Sequence, residues 1–136
     1  MPEGVKITNF SFCDHNNKHN LQINVLNSLE TTNGKFSFSV LFSVIDFSPM
    51  VNHDIKLIFS DMDGEILIET DNISLEGTGQ KGDSNEKGVI TGATMAVDFL
   101  DVLFQGQGVY VMKIYFDEEL INEFHIPVVY KERSEL

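Results

Sequence analysis

The ten residues KFSFSVLFSV, residues 35–44, decide the fold. Phe36, Phe38, Val40, Phe42 and Val44 fall on one parity, and Lys35, Ser37, Ser39 and Ser43 on the other, with Leu41 the exception. A period of two is that of a strand with one buried face and one wet face. Wound as a helix, the same residues would scatter Phe around the cylinder and leave no apolar stripe.

The stretches around this one repeat the pattern. In DIKLIFSDMDGEILIET, Ile55, Leu57 and Phe59 alternate before an Asp-Gly turn, and Ile66 and Ile68 after it. A four-residue loop over 61–64 predicts Phe59 opposite Ile66 and Leu57 opposite Ile68, because Gly accepts the positive φ such a turn needs. A second hairpin closes the chain. Tyr110, Met112, Ile114 and Phe116 share a parity, residues 117–119 make an acidic turn, and Phe124, Ile126 and Val128 follow. This pairs Met112 with Phe124 and Tyr110 with Ile126, and leaves Val111, Lys113, Tyr115, Glu123 and His125 on a half-solvated side. Pro127 cannot donate to a ladder, so this last strand is expected at an edge or leaving the sheet.

The N-terminal part is less regular. Val5 and Ile7 lie on odd positions but Phe10 and Phe12 on even ones, which a bulge near Thr8 and Asn9 would reconcile. LQINVL alternates Leu21, Ile23 and Val25 and reads as a strand after the turn-forming HNNKHN. Residues 74–88 read as a polar, Gly-rich loop, with no core residue expected after Leu75. A further strand is expected around 94–98, and VDFLDVLF has the look of one helical turn. Seven or eight short strands separated by turn signals point to one domain over residues 1–136, an all-β, antiparallel, immunoglobulin-like β-sandwich. A barrel is the alternative.

The letters LDVLFQG, residues 100–106, nearly copy LEVLFQGP, a protease site built into many expression vectors. The match lies inside the chain, lacks the final Pro, and leads through GQG into a strand that its hairpin partner needs. It reads as native sequence, cleavable after Gln105 if the loop over 102–108 is exposed and mobile.

Composition narrows the function. Eleven Phe and no Trp in 136 residues, with many Ile and Val, suit pleated, half-buried surfaces. The net charge of −12 repels nucleic acid and anionic membranes. It is concentrated in the second half, where sixteen acids stand against five bases in residues 61–136. Cys13 is the single cysteine, so no intramolecular disulfide forms, which suits a reducing cytosol. No signal-peptide pattern opens the chain and no apolar run reaches the roughly 18 residues of a membrane helix. The expectation is a soluble, cytoplasmic protein.

VKITNFSFCDHNNKHNLQINVLNSL, together with DMDGEIL and GVYVMKIYFDEELINEFHIPV, resembles a family of small bacterial proteins of unknown function. In that family a strand ending in Cys-Asp is followed by a polar loop and an Ile-containing strand. The resemblance implies a β-sandwich and carries no activity with it. Usage rich in Asn, Ile, Lys and Phe is associated with AT-rich bacterial or phage genomes.

Candidate sites are few. Cys13, Asp14, His15 and His19 are metal-ligating types, but neighbouring strand residues point to opposite faces and the spacing fits no zinc pattern. Asp61, Asp63 and Glu65 resemble half a calcium loop without its later ligands or helix. With Asp117 and Glu118 they could form a calcium site if both hairpin turns lie at one end of the sandwich, although turn chemistry explains the same residues. There is no nucleophile elbow, and GTGQKG lacks phosphate-loop spacing, so no catalytic residue, enzyme activity or cofactor is expected. The leading expectation is a non-enzymatic binding module for another protein, using the loop over 71–88, the acidic turns or the exposed side of the last hairpin. An acidic inhibitor that imitates a phosphate backbone is the alternative, and needs its acids in one stripe. A ligand pocket between the sheets is a third possibility, for which the sequence supplies no polar constellation. An unprotected edge strand would offer a route to a homodimer.

Overall fold

The computed structural model describes residues 4–15, 24–76 and 92–131. It contains strands β1 (Lys6–Asp14), β2 (Val25–Leu26), β3 (Leu29–Thr31), β4 (Lys35–Ile45), β5 (His53–Asp61), β6 (Ile66–Glu69), β7 (Ile73–Leu75), β8 (Gly92–Leu103), β9 (Gly108–Phe116) and β10 (Glu119–Tyr130). They form two sheets, ordered β2-β1-β4-β8 and β3-β10-β9-β5-β6, with β7 also on β5. Every pairing is antiparallel except β3 with β10. The division of β1, β4, β8 from β5, β9, β10 is the one immunoglobulin-like sandwiches make. Among the described residues no helix is long and apolar enough to cross a membrane.

The alternation in β4 is the spine of the core. Phe38, Val40, Phe42 and Val44 are fully buried, and Phe38 meets Phe59 of the opposite sheet at 5.3 Å and Phe99 beside it at 5.3 Å. The β9–β10 register is the expected one, Met112 with Phe124 and Tyr110 with Ile126. Asp117 and Glu118 have φ of 50° and 73°, the mirror-image turn that matches the twist of a two-residue hairpin. The N-terminal bulge also occurs: the β1–β4 register shifts between Thr8 and Ser11, with Asn9 at φ 55°.

Several expectations need correction. Phe59 pairs with Ile68, not Ile66, because the β5–β6 ladder shifts register between Phe59 and Ser60. Ile66 is thereby turned out to solvent, while Leu67 and Ile68 pack on the core. Val25 is exposed and Leu26 is the residue packed inward, since Leu26 pairs with inward Phe12 and Val25 with Cys13. Leu21 and Ile23 lie outside the described residues. VDFLDVLF is not a helical turn: residues 97–103 belong to β8 and Phe104 follows its end. Phe99 and Val102, three apart as on a helix, both face inward because a bulge at Asp101 (φ 52°) shifts the register. The loop expected over 71–88 begins as β7, whose Ile73 pairs with Ile55, and most of the remainder lies outside the described residues.

The corner before β9 explains GQGVY. Tyr110 is buried, its hydroxyl donates to Gly106 O (2.7 Å) and accepts from Gln105 N (3.1 Å). Its ring stacks on Phe59 at 5.8 Å and meets Phe104 edge-on at 5.3 Å. This is the tyrosine corner of immunoglobulin-like folds; two residues on, where antibody domains carry a disulfide cysteine, stands fully buried Met112.

Candidate functional site

His53 continues the apolar parity of Ile55, Leu57 and Phe59, so β5 carries its ring inward. The ring is 8% exposed and lies against Phe116 (4.7 Å) and Phe47 (5.6 Å). Its Nδ1 is 2.8 Å from Asp117 Oδ2 and its Nε2 2.7 Å from the Ser48 carbonyl oxygen. A carbonyl and an ionised carboxylate can only accept, so the arrangement is satisfied when both ring nitrogens donate, that is, by imidazolium. Burial pushes the pKa of His53 down. The hydrogen bonds with Asp117 and the Ser48 carbonyl and the charges of Asp117 and Asp54 outweigh this and raise it above the ordinary histidine value.

Asp117 is itself held from two sides. Its Oδ1 accepts from Asp54 N (2.9 Å), and its own N–H donates to Asp54 O (2.8 Å). The cluster therefore ties three segments at one end of the sandwich: the β4–β5 connection, the start of β5 and the β9–β10 turn. A general base needs a free ring nitrogen within reach of a substrate proton, and His53 has none to offer.

The proposed calcium ligands are not brought together. Asp61 opposes Tyr110 at one end of the β5–β9 ladder, whereas Asp117 sits by Asp54 at the other. The length of β5 between them is about 20 Å at the rise of a strand. Asp61 Oδ1 accepts from Asp63 N (2.9 Å) and Glu65 N (2.8 Å), so its carboxylate organises its own turn, with Gly64 at φ 94°. Asp63 is exposed in that turn, and Glu118 follows Asp117 at the opposite end. Among the described residues no three His, Cys, Asp or Glu are grouped as metal ligands.

Cys13 pairs with Ser39 and Asp14 with Phe38, so they point to opposite faces, as strand alternation requires. Burial pushes the Cys13 thiol up. His15 Nδ1 lies 3.7 Å from Asp98 Oδ1, the oxygen that accepts from Ser39 Oγ. A catalytic triad places the imidazole between hydroxyl and carboxylate; here the carboxylate stands in the middle. His19 lies outside the described residues.

A recess of about 270 Å³ opens at the side of the sandwich, where β1 and β2 of one sheet approach β10 of the other. Phe10, Phe12, Val25, Leu26, Phe124 and Ile126 give it apolar walls, and Ser11, Asn27 and His125 line it with polar groups to a similar extent. Phe10 and Phe124 span the gap with ring centroids 4.0 Å apart and planes 2° from parallel.

Sequence reasoning missed His53 and this recess. A histidine on the apolar parity of a strand was the available signal for the first. The second joins residues more than 100 positions apart and has no local signature.

No family model and no curated protein sequence matches the chain. Solved structures do. It is similar to the alkylpurine DNA glycosylase AlkC of Pseudomonas fluorescens, bound to DNA containing an abasic site analog (TM-score 0.51, 10% identity, covering 92% of this chain and 30% of that one). It is similar to the C-terminal domain of wzt (TM-score 0.51, 12% identity, covering 94% and 75%). A β-glucosidase from Listeria innocua in complex with isofagomine aligns with TM-score 0.51 and 11% identity over 95% of this chain and 16% of that one. At these identities the likeness is one of fold. The chain spans under a third of the glycosylase and under a fifth of the glucosidase.

Proposed function

We propose that this chain is a non-enzymatic binding module whose partner is another protein. The observation that carries this reading is how the molecule uses its polar and apolar groups. The buried His53 is consumed, with Asp117, in joining segments, while the aromatic recess beside β10 is open at the surface. An immunoglobulin-like sandwich with a side recess and open strand edges suits recognition by shape.

The acidic-inhibitor reading asks for one stripe of carboxylates. Among the described residues the acids are divided between both ends and both outer faces. Asp61, Asp63 and Glu65 lie at one end, Asp54, Asp117 and Glu118 at the other, and Asp98 and Asp101 on β8. Glu69 and Glu30 stand within 3.7 Å and 2.9 Å of Lys56 and Lys131. That distribution favours solubility over mimicry.

The test is capture by the immobilised full chain from a lysate of its source organism, at low and at high salt. The reading expects one protein retained at both salts and displaced by free chain. Nothing displaceable at either salt, or only nucleic-acid-binding proteins lost at high salt, would overturn it.

A further inference from the structure

Among the described residues, part of the outer edge of β10 has no strand beside it. β3 lies along that edge only beside Val128, Val129 and Tyr130; among the described residues no strand lies in the lane beside Asn122 to Pro127. The direction of the backbone groups follows from two hydrogen bonds. Lys131 N donates to Thr31 O on the β3 side (2.8 Å), while Tyr130 N donates to Gln107 Oε1 on the β9 side (3.0 Å). Neighbouring strand residues present their N–H and C=O to opposite edges, so odd-numbered residues face the lane. Glu123 and His125 thus offer both groups to it, and Pro127 offers a carbonyl. Pro127 fits this position because the N–H it lacks would point into the open lane.

The floor beside this lane is the aromatic recess. Phe124 and Ile126 on β10, and Phe10 and Phe12 on β1, line it, and Val25 at its far wall is 58% exposed. Alternate side chains of an added strand fall about 7 Å apart on one face, which suits two apolar groups entering one groove. The incoming strand would run in line with β3. The net charge of −12 acts on the approach of a partner: a basic segment is attracted to the chain and an acidic one repelled.

We propose that the lane beside Glu123, His125 and Pro127 takes an extended segment of a partner protein as an added strand, with apolar side chains in the recess and basic ones outside. This rests on the binding-module reading and names the partner's chemistry.

The test uses the full chain and a capped seven-residue peptide alternating Lys and Val, with amide hydrogen exchange read by NMR. A second peptide of the same sequence is N-methylated at alternate residues, which removes the donors of one edge and keeps every side chain. The expected result is about tenfold slower exchange at the Glu123 and His125 amides with the first peptide and none with the second. His125→Pro deletes a donor that faces the lane and leaves the β9 ladder intact, so it should weaken the first peptide without lowering the melting temperature comparably. Equal protection by both peptides means charge alone and overturns the proposal, as does no protection at millimolar peptide. Protection that grows with protein concentration without peptide puts a second copy in the lane and also overturns it. If the lane fails while the capture experiment still retains a protein, the binding-module reading survives; if both fail, neither does.

Discussion

Tyr110→Phe removes one oxygen from a corner that three segments share. The ring stays where it is, stacked on Phe59 and against Phe104, so the apolar area buried is unchanged. What is lost is a donated bond to Gly106 O and an accepted bond from Gln105 N. Each is worth about 1 kcal/mol net, and water partly replaces them because their partner Gln105 is exposed although Tyr110 is buried, which sets the loss at about 1.5 kcal/mol. For a chain of this length that lowers the melting temperature by about 5 °C, with the urea m-value unchanged. The corner also contains the vector-protease look-alike, which supplies a second assay. In the folded chain Leu100 to Leu103 belong to β8, Phe104 N donates to Gly34 O (2.8 Å), and Phe104 O accepts from Tyr130 OH (3.0 Å). Cleavage after Gln105 therefore requires the corner to open. The native protein should resist that protease, and Tyr110→Phe should be cut about tenfold faster, in proportion to the open population. Rapid cutting of the native protein under folding conditions, or a melting temperature within about 1 °C of native for the variant, would refute the reasoning.

The His53 pair makes stability depend on pH. Its folded pKa is raised, so its contribution is complete below the unfolded value of about 6.5 and is lost as pH climbs through the folded value. Above about pH 6.5, and until the raised folded value is passed, stability should fall by up to about 1.4 kcal/mol per unit, and His53→Gln should flatten that slope in urea titrations. A native slope that is flat or rising contradicts it. Phe38→Ala empties a fully buried site that touches Phe12, Phe59 and Phe99, and should cost about 3–5 kcal/mol by the same titrations. Millimolar calcium should leave the melting temperature unchanged, because the carboxylates at Asp61 and Asp117 lie about 20 Å apart; a rise of several degrees that is lost in Asp61→Asn would show a site at the β5–β6 turn.

The strands were legible wherever side chains alternate without interruption. β4, β5, β9 and β10 need only a period of two, and a hairpin's register follows once its turn is short. The errors all fall where a bulge or a short pairing resets the parity. Alternation puts Ile66 on the inward parity but it points out, Val25 is exposed although it alternates with Leu21 and Ile23, and the three-residue spacing of Phe99 and Val102 imitates a helix because Asp101 bulges between them. β3 has no local signature: three residues carry no period, and Leu29 is buried because pairing with β10 places it in the core between the sheets.

By itself the sequence determined which faces of which strands are greasy, and hence that two layers must close on one another, because alternation is a property of consecutive residues. The tertiary structure alone decided what meets what. His53 finds Asp117 across 64 positions, Asp61 is kept from Asp117 by the length of a strand, and Phe10 reaches Phe124 through the gap between sheets. Those outcomes follow from strand order and register, which are set by the packing of the whole core and leave no trace in any local stretch.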